Sequence, residues 1–192
     1  SRLCRAPEGF FDFAQRVAVK YKGDRPAFVA FLFIDTINEG MLILAAMMAD
    51  ANGEALVLIR LLDCEARFDV SKCCDYVAKF LKRITWMYHK GGVLEVDGHT
   101  RAMLAFLRTP HFLITSNGKG KVLGGGTYDA AVEVAFNHLR SYTMLANDVL
   151  MAEFPSFGIV NSFSCFACIE MGKSVTPSVH ESLERLSRSL RA

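Results

Sequence analysis

Residues 28–62, FVAFLFIDTINEGMLILAAMMADANGEALVLIRLL, decide the fold of this chain. The stretch contains three apolar runs, at residues 28–35, 41–49 and 55–62. Short continuous apolar runs are typical of strands that are buried on both faces. Asn52-Gly53 separates the last two runs, and Asn-Gly in that position is the strongest short-range signal for a hairpin. The stretch therefore predicts three strands joined by tight turns, which makes them antiparallel neighbours.

The rest of the chain predicts helices that alternate with two further strands. Apolar residues recur at helical spacing over residues 70–88, and Gly91-Gly92 stops that helix. Residues 91–99, GGVLEVDGH, then predict a fourth strand that ends at Asp97. The elements that follow are a short helix over 100–107, a fifth strand over 111–116, a flexible loop over 117–126 and a long helix from 127 or 129 to about 150. Helices are also predicted at both ends, over residues 7–22 and from Ser178 onward.

The predicted element order is β-β-β-α-β-α-β-α, which gives an α/β fold with a five-stranded mixed sheet flanked by helices. Strands that are separated by helices pair in parallel, whereas the first three pair antiparallel. The chain is thus divided into an N-terminal helical extension (1–27), a core (28–150) and an apolar segment with a C-terminal amphipathic helix (151–192). A carboxylate at the end of a buried strand is costly unless it is paired or used. The role of Asp97 is therefore the central question about function.

With this order of elements the chain resembles the ribonuclease H-like catalytic core of the DDE transposases and retroviral integrases. The resemblance rests on Asp35 in FLFID, Asp97 in LEVDGH and Glu133 in AAVEVAFNHL. The 35 residues from 98 to 132 separate Asp97 from Glu133, which is the commonest second spacing in that superfamily. The 61 residues from 36 to 96 fall within its looser first spacing. Integrases usually follow the second Asp with Asn-Gly, whereas this chain has Gly98-His99.

The resemblance implies a polynucleotidyl transferase acting on DNA, with Asp35, Asp97 and Glu133 as catalytic residues and as ligands of two Mg²⁺ or Mn²⁺ ions. Phosphodiester transfer uses two divalent ions about 4 Å apart, and Mg²⁺ prefers carboxylate oxygens. If active, the chain would carry out metal-dependent strand transfer or nuclease chemistry. Each carboxylate also has an ordinary structural interpretation: Asp97 as the cap of the helix at Thr100, Asp35 as the start of the turn over 36–40, and Glu133 as an exposed helix residue.

Three cations near Glu133 are candidates for binding nucleic acid, namely Lys119, Lys121 and Arg140. The two lysines lie in the glycine-rich segment 117–126, where a flexible backbone and positive charge suit contacts with phosphate. Arg140 lies seven residues after Glu133 on the same helical face and would meet a phosphate there. The alternative interpretation is an ordinary solvated loop beside a surface helix.

The composition limits the classes of function that the chain can have. The 192 residues are 52% apolar, with a mean hydropathy of +0.23 and a net charge of +2, which excludes a nucleic-acid binder that is basic all over. The apolar excess predicts contacts with other protein chains, as a homo-oligomer or in a larger assembly, through residues 154–166 or the helix over 179–190. The alternative function is therefore a catalytically silent ribonuclease H-like module that serves as a structural subunit of such an assembly. No apolar run is long enough to predict a membrane span.

The six cysteines lack the spacing of a disulfide framework, which indicates an intracellular, reducing compartment without distinguishing nucleus from organelle. Cys165 and Cys168 form a CxxC pair, but the second pair of ligands that a zinc site needs is missing. We interpret the cysteines as small buried apolar residues, with a redox or metal role as the alternative.

Overall fold

The computed structural model describes residues 7–63, 70–153, 162 and 177–189. Helices take up 77% of these residues, and the one sheet among them has two antiparallel strands. The helices are α1 (Pro7–Lys20), α2 (Arg25–Thr36), α3 (Glu39–Leu62), α4 (Val70–His89), α5 (His99–Phe106), α6 (Asp129–Glu153) and α7 (Pro177–Ser189). A 3₁₀ turn covers Gly92–Leu94, and the strands are β1 (His111–Ile114) and β2 (Gly120–Leu123).

The chain forms two compact units. Unit 1 comprises residues 1–52 and 86–141, and unit 2 comprises residues 53–85 and 142–192. Unit 1 therefore contains α1, α2, α5 and the sheet, and unit 2 contains α7, while α3, α4 and α6 contribute residues to both units. All candidate site residues predicted from the sequence fall in unit 1.

In unit 1, α1 and α2 form a helical hairpin whose connection is residues 21–24. The ring centroids of Phe10 and Phe33 lie 5.3 Å apart, which places the start of α1 beside the end of α2. Phe11 stacks on Phe33 and on Phe106 of α5, with centroid distances of 5.9 Å in both pairs. These aromatic contacts hold the α1–α2 hairpin together and attach it to α5.

The first half of α3 supplies the centre of unit 1. Leu42, Ile43, Ala46 and Met47 are fully buried, and their spacing puts them on one face of the helix. Tyr88 of α4 is also fully buried, and its hydroxyl donates a hydrogen bond of 2.8 Å to the carbonyl of Met47. The one polar atom of this buried tyrosine side chain is therefore satisfied.

The β1–β2 hairpin presents one face to the core and the other to solvent. Its register pairs Phe112 with Val122 and Leu113 with Lys121. Leu113 and Leu123 are buried, whereas Phe112 and Val122 are exposed, as expected when successive side chains of a strand point to opposite faces. The exposed side of the hairpin is thus apolar as well.

In unit 2 the core includes a set of buried side chains from α3 and α4, namely Leu58, Cys73, Cys74, Val77, Phe80 and Ile84. Burial raises the pKa of the Cys73 and Cys74 thiols, so these two cysteines are the small buried residues that the sequence predicts. Val179 and Leu186 of the predicted apolar stripe on α7 are also buried within the chain. The other four cysteines, Cys165 and Cys168 among them, and most of the segment 154–166 lie outside the described residues.

The predicted five-stranded ribonuclease H-like sheet is wrong. Residues 28–35 lie in α2, and the runs 41–49 and 55–62 both lie in α3, with Asn52-Gly53 inside that helix rather than in a hairpin. A continuous apolar run by itself does not distinguish a buried strand from a buried helix. Composition decides here, because α3 has five alanines, six leucines and three methionines among its 24 residues, and all three are strong helix formers.

The predicted fourth strand and the predicted loop are also wrong. Residues 91–98 form a 3₁₀ turn followed by bends, and β2 occupies part of the glycine-rich segment 117–126. By contrast, the helices predicted over 7–22, 70–88, 100–107, from 127 or 129 onward and from Ser178 are confirmed within a few residues, as is the strand over 111–116. In α4 in particular, polar residues occupy the outer positions, so its helical period is visible in the sequence.

By length and composition α3 would be able to cross a membrane, and among the described residues it is the one helix with that property. The core helix of a soluble protein has the same properties. One third of its apolar window (33%) is buried inside the chain, and Asp50 and Glu54 in its middle both make contacts with other helices. Asp50 and Glu54 thus attach α3 to α5 and α4.

Candidate functional site

Asp35 is the last residue but one of α2, and its carboxylate holds the turn of the β1–β2 hairpin. The backbone N–H of Ser116 donates to Oδ1 at 3.1 Å, and the Ser116 hydroxyl donates to Oδ2 at 2.6 Å. The Ser116 hydroxyl is the largest cause of a lowered pKa at Asp35, followed by the Ser116 backbone N–H. Asp35, which the sequence predicts as a metal ligand, therefore links the end of α2 to the turn of the hairpin. We call this contact between Asp35 and Ser116 the latch.

Lys121 of β2 completes this latch from the other side of the turn. Its ammonium group donates hydrogen bonds to the carbonyls of Ile34, Asp35 and Ile37, at the C-terminal end of α2. The last carbonyls of a helix lack partners within it, and a cation is favoured at that end of the helix dipole. All three donors of Lys121 are engaged with backbone, whereas Lys119, its predicted companion, is exposed.

This geometry predicts a specific pH dependence. The pKa of Asp35 in the folded protein is lowered from its ordinary value of 3.8, so the latch contributes stability above that pH and loses it as the pH falls through the folded pKa. Replacing Ser116 by alanine should raise the pKa of Asp35 back toward 3.8, as measured by NMR titration of its side-chain carboxyl carbon. An unchanged pKa in the Ser116→Ala variant would show that the latch does not form.

Glu133 and Arg140 face each other on α6, as their spacing predicts. The Arg140 Nη1 atom lies 2.7 Å from Glu133 Oε1, and it also donates to Asn137 at 2.9 Å. The Arg140 Nε atom donates to the backbone carbonyl of Tyr88 at 3.3 Å. The structure therefore pairs a predicted metal ligand with a predicted phosphate contact, and both side chains take part in an ion pair on the surface of unit 1.

Asp97 is exposed in the bend before α5, and the cap of α5 is another residue. Asp50 of α3 accepts hydrogen bonds from the backbone N–H groups of His99 and Thr100, at 2.8 and 2.9 Å, and from the Thr100 hydroxyl at 2.7 Å. Gly98 makes this approach feasible, because a Cβ atom there would lie 2.7 Å from Asp50 Oδ1. The capping role that the sequence offered as the alternative for Asp97 thus belongs to Asp50.

The structure does not gather Asp35, Asp97 and Glu133 into one metal centre. Within the described parts of the chain, no group of three or more His, Cys, Asp or Glu side chains has an arrangement that would hold a metal ion. Asp35 and Glu133 instead have the separate partners given above. Transfer of DNA strands with Mg²⁺ or Mn²⁺ stays a prediction from the sequence, without a shared site among these residues.

A groove between α1 and α2 is a concave surface of unit 1 that sequence reasoning missed. Its volume is about 850 Å³. The half-buried walls come from Phe10 and Val17 on α1 and from Phe33 on α2, and the buried residues Ala14 and Ala30 form its floor. Because Ala14 and Ala30 are small, the floor leaves space for an apolar ligand between the larger apolar side chains of the walls.

The side chains at the rim of this groove are more exposed than those of its walls, and the rim includes the charged residue Arg25. Phe13 lies at the rim on the α1 side, and Val29 lies at the rim on the α2 side. Tyr21 and Arg25 close the end where the two helices connect, and Arg25 is the one charged residue among those that line the groove. The groove therefore combines an apolar body with a single cation at one end.

The sequence carries a signal for this groove. Phe10, Phe13 and Val17 recur at three- and four-residue steps along α1, and Tyr21 continues the series just after the helix. This series lies beside the buried stripe of Phe11, Ala14 and Ala18. An amphipathic helix with one covered face needs a single apolar stripe. The second stripe predicts a second apolar contact for α1.

Comparisons with known protein families, with curated proteins and with solved structures find no match to this chain.

Proposed function

We propose that this chain attaches to an anionic membrane surface through the outer side of its α1–α2 hairpin. The observation that carries the proposal is an exposed apolar surface beside the groove, to which α1 contributes Phe13 and α2 contributes Phe28, Val29 and Leu32. Phe13 and Phe28 are 63% and 68% exposed, which is unusual for phenylalanine. Exposed apolar surface of this kind marks a contact with another molecule or with a membrane.

The basic residues of the hairpin share faces with these apolar side chains. Phe13, Arg16 and Lys20 follow one another at three- and four-residue steps on α1, and Arg25, Phe28 and Leu32 do so on α2. Because Phe13 and Arg25 both lie at the rim of the groove, the two faces open on the same side of the hairpin. Lys22 adds a further exposed cation in the connection between the helices.

The local charge favours a lipid surface over a protein partner. The positive charge is concentrated around the connection: residues 13–33 carry four cations and one acid, Asp24, whereas the other acids of the hairpin, Glu8, Asp12 and Asp35, lie outside this stretch. Arg16 pairs with Asp12 at 3.9 Å, so Lys20, Lys22 and Arg25 are the cations proposed to meet the head groups. Lysine, unlike arginine, is depleted in protein–protein interfaces, and two of the four cations are lysines. Aromatic and aliphatic residues beside basic ones are typical of helices that lie in the membrane interface. Each basic residue close to an anionic surface contributes about 1 kcal/mol. The hairpin thus offers apolar side chains for insertion and cations for the head groups.

Sedimentation with lipid vesicles tests this proposal. We expect binding to phosphatidylcholine vesicles that contain phosphatidylserine, weaker binding to pure phosphatidylcholine, and a marked loss at 1 M salt, where the Debye length falls to about 3 Å. Phe28→Ser should lower the partition coefficient at least about tenfold, because an inserted phenylalanine contributes about 1.5–3 kcal/mol.

Phe112→Ser is the matched control. Phe112 is 73% exposed on β1 and is not part of the apolar surface defined above. Its contact with α1 is through its backbone carbonyl, the acceptor of a 3.3 Å hydrogen bond from Gln15, so replacing its side chain should leave vesicle binding unchanged. Absence of binding to anionic vesicles, or equal losses in the two variants, would overturn the proposal. A wild-type oligomer that Phe28→Ser dissociates would assign this surface to a protein partner instead.

A further inference from the structure

We infer that the groove between α1 and α2 binds one fatty acid, with its carboxylate at Arg25 and its acyl chain along the helices. This inference rests on the proposed function in that a membrane is the source of the ligand. The two sites share Phe13, Arg25 and Val29, but other side chains belong to one site alone. The groove is lined by Val17 and Phe33, whereas Phe28 and Leu32, which face the membrane, do not line it. The two roles can therefore be separated by mutation.

The shape and lining of the groove select an apolar chain. Its volume of about 850 Å³ lies within the range of about 300–1,000 Å³ that is typical of small-molecule sites. Phe10 and Phe33 are in edge contact, with ring centroids 5.3 Å apart, and close the groove at the end away from Arg25. The buried floor of Ala14 and Ala30 keeps the space between this aromatic pair and Arg25 open along the helices. Apolar walls with few polar groups fit a chain that makes no hydrogen bonds, because its burial is favoured by the hydrophobic effect alone.

The charge at one end selects an anionic head group. Arg25 is the one charged side chain among the residues that line the groove, and it lies where α1 and α2 connect. A guanidinium group can donate two parallel hydrogen bonds to a carboxylate, which gives both energy and orientation. Lys20 at the end of α1 and Lys22 in the connection add two positive charges, and Asp24 in the connection offsets one of them. No acid is among the residues that line the groove, so a carboxylate is favoured over a neutral or cationic head group.

Calorimetric titration of the full chain with monomeric dodecanoate tests the inference, and dodecanol serves as the uncharged matched probe. We expect one dodecanoate bound per chain and binding of dodecanol that is about tenfold weaker, the effect of losing a hydrogen bond to a charged group. Arg25→Gln should weaken dodecanoate binding by a similar factor and leave dodecanol binding unchanged. This variant changes an exposed side chain, so the fold should be retained.

Two further variants separate this site from the membrane surface. Val17→Trp narrows the groove and should remove dodecanoate binding while vesicle binding persists, and Phe28→Ser should do the reverse. No binding of dodecanoate by a wild-type chain that binds vesicles would overturn this inference and leave the proposed function standing. Equal binding of dodecanoate and dodecanol, or binding that is insensitive to Arg25→Gln and Val17→Trp, would also overturn it.

Discussion

Replacement of Asp50 by alanine is expected to lower the free energy of unfolding by about 3 kcal/mol, because three hydrogen bonds to a charged group are lost at a partly buried helix start. The Asp50 carboxylate is the only side-chain acceptor, among the described residues, for the N–H groups of His99 and Thr100 at the start of α5. Thr100 is fully buried, so its hydroxyl also loses its partner. Urea unfolding and amide hydrogen exchange at His99 and Thr100 would measure the loss.

Asp97→Ala is the matched control for this substitution. Asp97 lies two residues before His99, is exposed, and belongs to the bend that precedes α5. Its replacement should change the stability by less than about 0.5 kcal/mol, which is usual for exposed positions. If the two variants were equally stable, or if Asp97→Ala were the more harmful, the assignment of the cap to Asp50 would be wrong.

The same pair of aspartates shows what the sequence could and could not predict about the site. A need for a capping group at Thr100 is visible in the sequence, since α5 follows a glycine and lacks a side-chain cap of its own. The identity of the cap is not visible, because Asp50 lies 50 residues away and meets α5 only through the packing of α3. Local sequence therefore pointed to Asp97, the nearest carboxylate.

The fold shows a similar limit. The helical period of α4 is visible because Lys72, Lys79 and Lys82 occupy exposed positions, which leaves a single apolar stripe. In α2 and α3 apolar residues occupy exposed as well as buried positions, as Phe28 and Met48 show. A helix that is apolar all round has no visible period, and it reads like a strand buried on both faces. The exposed apolar residues that obscure the helical period of α2, such as Phe28, are also those that form the proposed membrane surface.

The contacts of Ser116 and Lys121 with α2 could not be predicted from the sequence for another reason. Each makes its contacts with α2 from more than 80 residues away, at the two ends of the glycine-rich turn. The sequence predicts a flexible loop with two lysines, which is typical of a segment that contacts phosphate groups. Only the docking of the β1–β2 hairpin on the end of α2 shows that the carbonyls of that helix are the acceptors for Lys121.

Gly124→Ala is expected to destabilise the protein by about 3 kcal/mol or more, since a left-handed backbone and a steric clash coincide at this position. Gly124 has a φ of +91°, and a Cβ atom there would lie 2.2 Å from the carbonyl oxygen of Thr109 and 3.0 Å from that of Leu107. Both obstacles are backbone atoms, so the hairpin itself would have to move. The N–H of Gly124 also donates to Glu39 at 3.2 Å, a bond that such a movement would strain.

Gly118→Ala separates the two contributions. Gly118 has a φ of +76°, similar in sign to that of Gly124, but a Cβ atom there meets nothing within 4 Å. Its replacement should therefore cost only the backbone contribution of about 1 kcal/mol. Thermal unfolding of the two variants measures the difference, which reports the close approach of β2 to the turn after α5. Equal losses in both variants would mean that β2 does not pack against that turn, and the position of the whole β1–β2 hairpin, with its latch to α2, would then be wrong.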